Sequence, residues 1–201
     1  MDALEAIGTA RSMRWLKADP VQDSLVEQVL HAATCAPSSH NCQPWRFVVL
    51  RDPRIRARCG EVIAAGAASS RLIDRISEHD PDHNRIAGVG HLSATLGQAP
   101  IVILACGVNV FPPHDPDPYF MYTAVHTACQ NLIVAARALG LGAAFTMLNR
   151  LAEAEIRALA GLPDDVALIA TIPLGWPARP FGPVARRPLA EVVHYDGWRA
   201  G

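Results

Sequence analysis

The sequence predicts an α+β domain, a sheet wrapped by helices, and three observations lead there. Apolar runs of strand length at Trp45–Leu50, 100–106 and 166–173 alternate with stretches of helical periodicity. The spacings between them are uneven, and no glycine-rich turn follows a strand. A doubly wound dinucleotide-binding fold needs that turn, because a pyrophosphate must approach the backbone where the helix begins. That fold is therefore excluded.

In chain order, Asp23 is expected to cap a helix over 24–35, with Leu25, Val26, Val29, Leu30 and Ala33 on one stripe. Pro37 stops it, since proline lacks a donor and clashes with the preceding turn. After the strand Trp45–Leu50, Asp52-Pro53 has the cap and first-turn chemistry that opens another helix. Residues 66–98 are the least patterned and are rich in Ser, Gly, His and Asp. Together with the loop 111–118, which holds four prolines, they form an expected variable lid over about 66–118. The longest helix is predicted over 119–139, ended by Gly140 in the left-handed position. Its apolar faces predict burial on most sides, with His126 as a paired core histidine. A strand over 142–147, a helix over 152–160 stopped by Gly161, a buried strand over 166–173 and an extended start to the tail 188–198 complete the order. Neither repeats nor low-complexity linkers interrupt it, so residues 1–201 read as one domain.

Composition narrows the function. Hydrophobic residues make up 50% of the chain and charged residues 18%, against roughly 25% charged in an average soluble protein. So little charge predicts apolar surface that a permanent oligomer covers. With a net charge of −1 and scattered arginines, no basic stripe marks a nucleic-acid partner. The most apolar stretch, 101–111, is too short to cross a bilayer, and the N-terminus lacks a signal-peptide pattern. The five cysteines (Cys35, Cys42, Cys59, Cys106, Cys129) have no paired spacing. The expectation is a cytoplasmic protein with free, mostly buried thiols and no membrane partner. The run His79-Asp80-Pro81-Asp82-His83 has metal-ligating residue types, but nothing stiffens it, and no metal is expected.

Three segments carry the informative polar groups. Arg11-Ser12-Met13-Arg14 and Arg186-Arg187-Pro188-Leu189 offer guanidinium and hydroxyl donors that suit a phosphate. The helix-to-strand connection Ala36-Pro37-Ser38-Ser39-His40-Asn41-Cys42-Gln43-Pro44-Trp45 packs small hydroxyls and amides. Such a loop can place donors and acceptors at the edge of a planar heterocycle.

Taken together and in this order, with Gly140-Leu141-Gly142 and Gly175-Trp176-Pro177 between them, these segments resemble the nitroreductase family. The likeness covers 1–50 and 120–198 and is weak in the middle. It implies a central mixed sheet flanked by helices, and an intertwined homodimer with FMN at the interface, each site built from both chains. Arg11, Ser12 and Arg186 would hold the phosphate. Arg14 would lie near the pyrimidine edge, where a fixed cation favours the anionic reduced flavin. Pro37, Ser38, Ser39, Asn41 and Gln43 would line the isoalloxazine and ribityl groups. Ala144, Phe145 and Thr146 would run past flavin N5, with the Thr146 hydroxyl either on N5 or bonded to its own backbone. Ala10 stands where many relatives carry a second arginine, and Trp15 and His40 also depart from the commonest residues.

The activity implied is ping-pong. NAD(P)H passes a hydride to the flavin, and a small nitroaromatic or quinone acceptor then takes the electrons. Because the cofactor breaks the bonds, no side-chain acid or base is expected to be catalytic. A specialised FMN enzyme of the same fold, a reductive dehalogenase or a flavin-fragmenting benzimidazole synthase, is the alternative. A non-catalytic flavin-binding protein is a third reading. Lys17 is the only lysine, so the Glu-Tyr-Lys lid of the deiodinase branch is incomplete.

Overall fold

The computed structural model describes residues 1–80 and 82–198. Strands β1 (Trp45–Leu50), β2 (Ile101–Val108), β3 (Gly142–Ala143) and β4 (Val166–Gly175) form one sheet in the order β1-β2-β4-β3. Helices α1 (Ala3–Thr9), α2 (Asp23–Thr34), α3 (Pro53–Ser69), α4 (Leu72–Ser77), α5 (His83–Thr95), α6 (Pro118–Ala138) and α7 (Glu153–Ala160) surround it. The expected α+β architecture is present, but the sheet is not mixed. Each pairing among the described residues is antiparallel. Strands β2 and β3 do run the same way across α6, but β4 inserts between them, so no neighbours are parallel.

Both faces of the sheet are covered, and β2 shows how. Ile101, Ile103 and Ala105 face a cluster with α2 and α6, while Val102, Leu104 and Cys106 face a second cluster with α3, α5 and α7. Successive strand residues point to opposite sides, so a continuous apolar run is what a doubly covered strand requires.

Several expectations change at this level. Asp23 does not cap α2; it lies in the first turn and pairs with Arg51, while Gln22 occupies the cap position without a side-chain bond. Asp52 does cap α3, accepting from Arg54 N at 2.7 Å, as Asp117 does for α6 from Tyr119 N at 2.9 Å. The unpatterned stretch 66–98 is largely helical. It holds the end of α3, then α4, α5 and a 3-10 turn over Leu96–Gln98. Its helices meet through small residues: a Cβ on Gly60 would lie 2.6 Å from Gly97 N. Apart from Leu72, Leu92 and Leu96, few large apolar side chains of the stretch join the core, so the apolar stripe is too thin to read.

The predicted strand over 142–147 shortens to Gly142–Ala143, with one further bridge at Thr146↔Thr171 in the same register. Pro173 of β4 faces the gap and has no N–H to donate, so the ladder breaks there. Helix α6 ends as expected, with Gly140 at φ +80, and Gly161 takes φ +61 after α7. One face of α6 is buried through Met121, Val125, Cys129, Leu132 and Ala136. The opposite face, with Tyr119, Tyr122, His126 and Gln130, is exposed. His126 is therefore not a core histidine; it stacks near Tyr122 and Phe145, at 6.3 and 5.7 Å between ring centroids. The tail carries a 3-10 turn at Leu189–Glu191 and is largely exposed, with Leu189 at 75% and Trp198 at 87%.

Candidate functional site

The two termini are sewn together beside β3. Met13 N donates to Ala143 O (2.9 Å), Lys17 N to Trp176 O (2.8 Å) and Ala178 N to Trp15 O (2.9 Å), with a bridge between Leu16 and Pro177. Further out, Val184 N donates to Gly8 O at 3.3 Å. The anchor is Met13, which is buried against Gly142. With Met13 turned inward, Arg11 and Ser12 face outward and Arg14 is half-buried.

Two hollows open on either side of Arg11 and Ser12. One, of about 400 Å³, is also lined by Gln130, Phe145 and Arg186. The other, of about 580 Å³, adds Arg14, Trp15, Asn84, Arg85 and Arg179. Arg11, Ser12 and Arg186, expected at one phosphate, are thus brought together. Among the described residues, Arg11, Arg14, Arg137, Arg179 and Arg186 have no carboxylate within 4.0 Å. Burial, and then the neighbouring charge of Arg11, push the Arg14 guanidinium below its ordinary range. Uncompensated cations around a concave surface are the arrangement an anionic ligand completes.

Other arginines are fixed by ring contacts. Arg137 lies over Phe181 at 4.2 Å and donates from Nε to Thr9 Oγ1 at 2.9 Å. Arg179 lies over Trp15 at 3.6 Å, and Trp15 stacks on His91 at 5.0 Å with planes 12° apart. Sequence reading missed the partnership of Trp15, His91 and Arg179, since nothing in a linear spacing joins positions so far apart.

Of the N5 segment, Phe145 lines the smaller hollow, whereas Ala144 is buried. The Thr146 oxygen accepts from Leu148 N at 3.2 Å, the local bond expected of a backbone-bonded threonine. That bond uses an acceptor lone pair and leaves the hydroxyl proton free to donate.

The 36–45 loop lies apart from both hollows in one chain. Its backbone is unusual: His40, Asn41 and Gln43 have φ of 47, 53 and 46°, the left-handed region that L side chains rarely adopt. Gln43 N donates to Ser38 Oγ at 3.1 Å, Gln43 Nε2 to Asn41 Oδ1 at 3.1 Å, and His40 stacks on Phe111 at 5.1 Å. Pro37, Asn41 and Gln43 are exposed, and Ser38 and Ser39 are half-buried. Strain held in place by surrounding contacts is typical of a ligand-clasping loop.

Cys59, Cys106 and Cys129 are buried, but Cys35 is exposed and Cys42 half-buried, so the thiols flanking the loop are not core packing. Among the described residues no group of three or more metal-ligating side chains occurs. Asp80 and Asp82 pair with Arg85, and Asp82 caps α5.

Comparison with known proteins gives this geometry a lineage. The model of the nitroreductase family matches residues 7–176. The chain belongs to the nitroreductase family. A Methanothermobacter thermautotrophicus protein, provisionally named an NADH dehydrogenase/NAD(P)H nitroreductase, is 31% identical over 98% of this nitroreductase-family chain and 88% of its own. A Desulfovibrio desulfuricans protein, provisionally named a nitroreductase and solved with FMN, is 30% identical over 99% of each chain with a TM-score of 0.70. Iodotyrosine deiodinase 1 of Rattus norvegicus is also similar, at 27% over 87% of this chain and 62% of its own. The family therefore includes relatives of differing named activity.

Proposed function

We propose that this chain is an FMN-dependent oxidoreductase that takes electrons from a reduced nicotinamide nucleotide and gives them to an electron-poor acceptor such as a quinone or nitroaromatic. The observation that carries the reading is the convergence of Arg11 and Arg186 with Ser12 on one hollow that no carboxylate neutralises. The solved relative that binds FMN, at 30% identity, supports the same reading. Bound FMN would supply reversible two-electron chemistry at its ring, so the protein need only bind, orient and bias it.

Each residue then has a task. Arg11, Ser12 and Arg186 hold the phosphate through charge-assisted bonds. Arg14, already cationic and half-buried, stabilises negative charge on the pyrimidine side. Phe145 and Thr146 flank the reacting edge. Pro37, Ser38, Ser39, Asn41 and Gln43 line the ring system from a second copy of the chain, since in one copy they lie apart from the arginines. A homodimer also covers the exposed face of α6 and the apolar Leu4 and Ile7 of α1, which are 82% and 53% exposed. The segment over about 66–118 is the lid that selects the acceptor. Five free cysteines fit a reducing, cytoplasmic setting; among the described residues no helix is long and apolar enough to cross a membrane.

A reductive dehalogenase fits less well. With Lys17 as the only lysine, the lid lacks the lysine of the Glu-Tyr-Lys set that the deiodinase branch uses.

Purified protein tests the cofactor directly. The expected result is a yellow sample absorbing near ~370 and ~450 nm, the flavin chromophore, bleached by NADPH or NADH and recoloured by a quinone. A colourless sample that will not take up added FMN overturns the reading.

A further inference from the structure

Two polar side chains lie deep in the fold with an oxygen left over. Asn149 and Thr171 are 0% exposed, and Asn149 Oδ1 and Thr171 Oγ1 have no hydrogen-bond partner among the described residues. Neither residue lines the hollows beside Arg11. Both stand on the same side of the sheet. Thr171 is opposed by Leu104 of β2, which faces the cluster with α3, α5 and α7, and directly opposed residues of paired strands share a face. Asn149 sits in the 3-10 turn Leu148–Leu151, whose Leu148 and Leu151 pack into that same cluster. An amide oxygen and a hydroxyl left unmet among leucines are costly, and buried polar groups are almost always met by protein or by ordered water.

The same two residues hold the segment that follows β3. Pro173 cannot donate, so beyond Ala143 the chain is next tied to β4 at Thr146. There Thr171 N donates to Thr146 O at 2.9 Å and Thr146 N to Thr171 O at 3.3 Å. Thr146 Oγ1 accepts from Leu148 N at 3.2 Å and so starts the turn that carries Asn149 inward. Asn149 Nδ2 then donates to Leu168 O of β4 at 3.4 Å. As an opposed pair, Thr146 and Thr171 also share a face. The turn thus gathers Thr146, Asn149 and Thr171 over one stretch of β4, in a layer that is otherwise apolar.

We propose that one buried water joins Thr171 Oγ1 to Asn149 Oδ1, and that this link positions Thr146 at the reacting edge of the flavin. The Thr171 hydroxyl donates to the water, and the water donates to the Asn149 amide oxygen, so both oxygens are met. A buried water needs at least about two polar partners, and one so held is costly to remove. The turn Leu148–Leu151 cannot then slide along β4, and Thr146 keeps its place at the sheet edge. Asn149 and Thr171 are positioning residues, acting through Thr146. Their effect on the flavin rests on the flavin oxidoreductase reading; the water link does not.

Crystallography and NMR of the bound flavin test it. At high resolution an ordered water should lie within hydrogen-bond distance of both oxygens in the wild type and be lost in Thr171→Val. With FMN labelled at N5, the N5 resonance of Thr171→Val should move from the wild-type value toward that of Thr146→Val. Thr171→Ser keeps the hydroxyl and should retain the wild-type resonance, which a general loosening of the core would not explain. No ordered water between the two oxygens in the wild type overturns the link. An N5 resonance unmoved in Thr171→Val, or unmoved in Thr146→Val, overturns the positioning role. If Thr171→Val does not fold, the wild-type water and the N5 resonance of Thr171→Ala decide. A protein that takes up no FMN, yet whose crystals hold the water, sinks the cofactor reading and the positioning role and leaves the link standing.

Discussion

Gly142 and Met13 touch so closely that a Cβ on Gly142 would lie 2.5 Å from Met13 Cγ and 2.9 Å from Met13 Cβ. This contact sets the height at which the segment carrying Arg11, Ser12 and Arg14 crosses the edge of the sheet. Met13 is 3% exposed and has no room to retreat. Overpacking of this kind costs about 1–3 kcal/mol. Gly142→Ala is expected to lower the melting temperature and, by displacing the arginines, to weaken FMN binding as well. Thermal unfolding and flavin content of the purified variant check both effects. Normal stability together with full flavin content would show that the segment tolerates the shift.

Arg14 is expected to tune the flavin. In the proposed site, removing this half-buried cation from beside the pyrimidine edge would destabilise the reduced, anionic form. Arg14→Gln should therefore lower the flavin midpoint potential and slow its reduction while leaving the fold intact. A potentiometric titration measures this, and an unchanged potential would remove the role.

The phosphate seat should respond to salt and to charge. Arg186→Ala deletes one of the two guanidinium groups lining the smaller hollow. Charge-assisted hydrogen bonds contribute about 1.5–3 kcal/mol each, so FMN affinity should fall on the order of ten- to a hundredfold. Equilibrium dialysis at two ionic strengths should show a weaker salt dependence in the variant than in the wild type.

The thiols divide into two sets. Burial pushes Cys59 and Cys106 up to about 11 and Cys129 to about 12, so these three stay protonated and unreactive in the folded chain. Cys35 and Cys42, exposed and half-buried, should react with a thiol reagent at mildly alkaline pH, and five should react after denaturation. The stability consequence has a definite sign. Above the ordinary thiol value of 9.0 the unfolded chain loses protons that the folded chain keeps. Stability must then fall as pH rises from about 9 toward 11, the unfolded state binding fewer protons. Chemical denaturation at several alkaline pH values measures the slope, and a flat profile would show the three thiols to be solvated.

Helix and strand positions were largely legible in the sequence because their signals are local. Asp52-Pro53 marks a helix start by chain chemistry alone, and the unbroken apolar run of β2 announces a strand, whereas the start of α6 at Pro118, capped by Asp117, falls in what reads as a proline-rich loop. The loop Pro37–Trp45 and the arginine segments were visible as residue types in order. The stretch 66–98 was not, because glycine, alanine and serine contacts interrupt the few aliphatic ones, such as Leu72, Leu92 and Leu96, and leave little periodic contrast. His126 was misplaced for a related reason: an apolar helix reads as buried whether its second face meets the same chain or another.

By itself, then, the sequence determined the family and the kinds of side chain offered to a ligand, since both depend on which residues occur and in what local spacing. Only the tertiary structure decided that Arg11 and Arg186 share a hollow, that Pro173 breaks the ladder opposite Ala144, and that Arg179 lies on Trp15. Those relationships join residues distant in the chain, and they arise from how the termini cross the sheet edge, a packing outcome that no local pattern encodes.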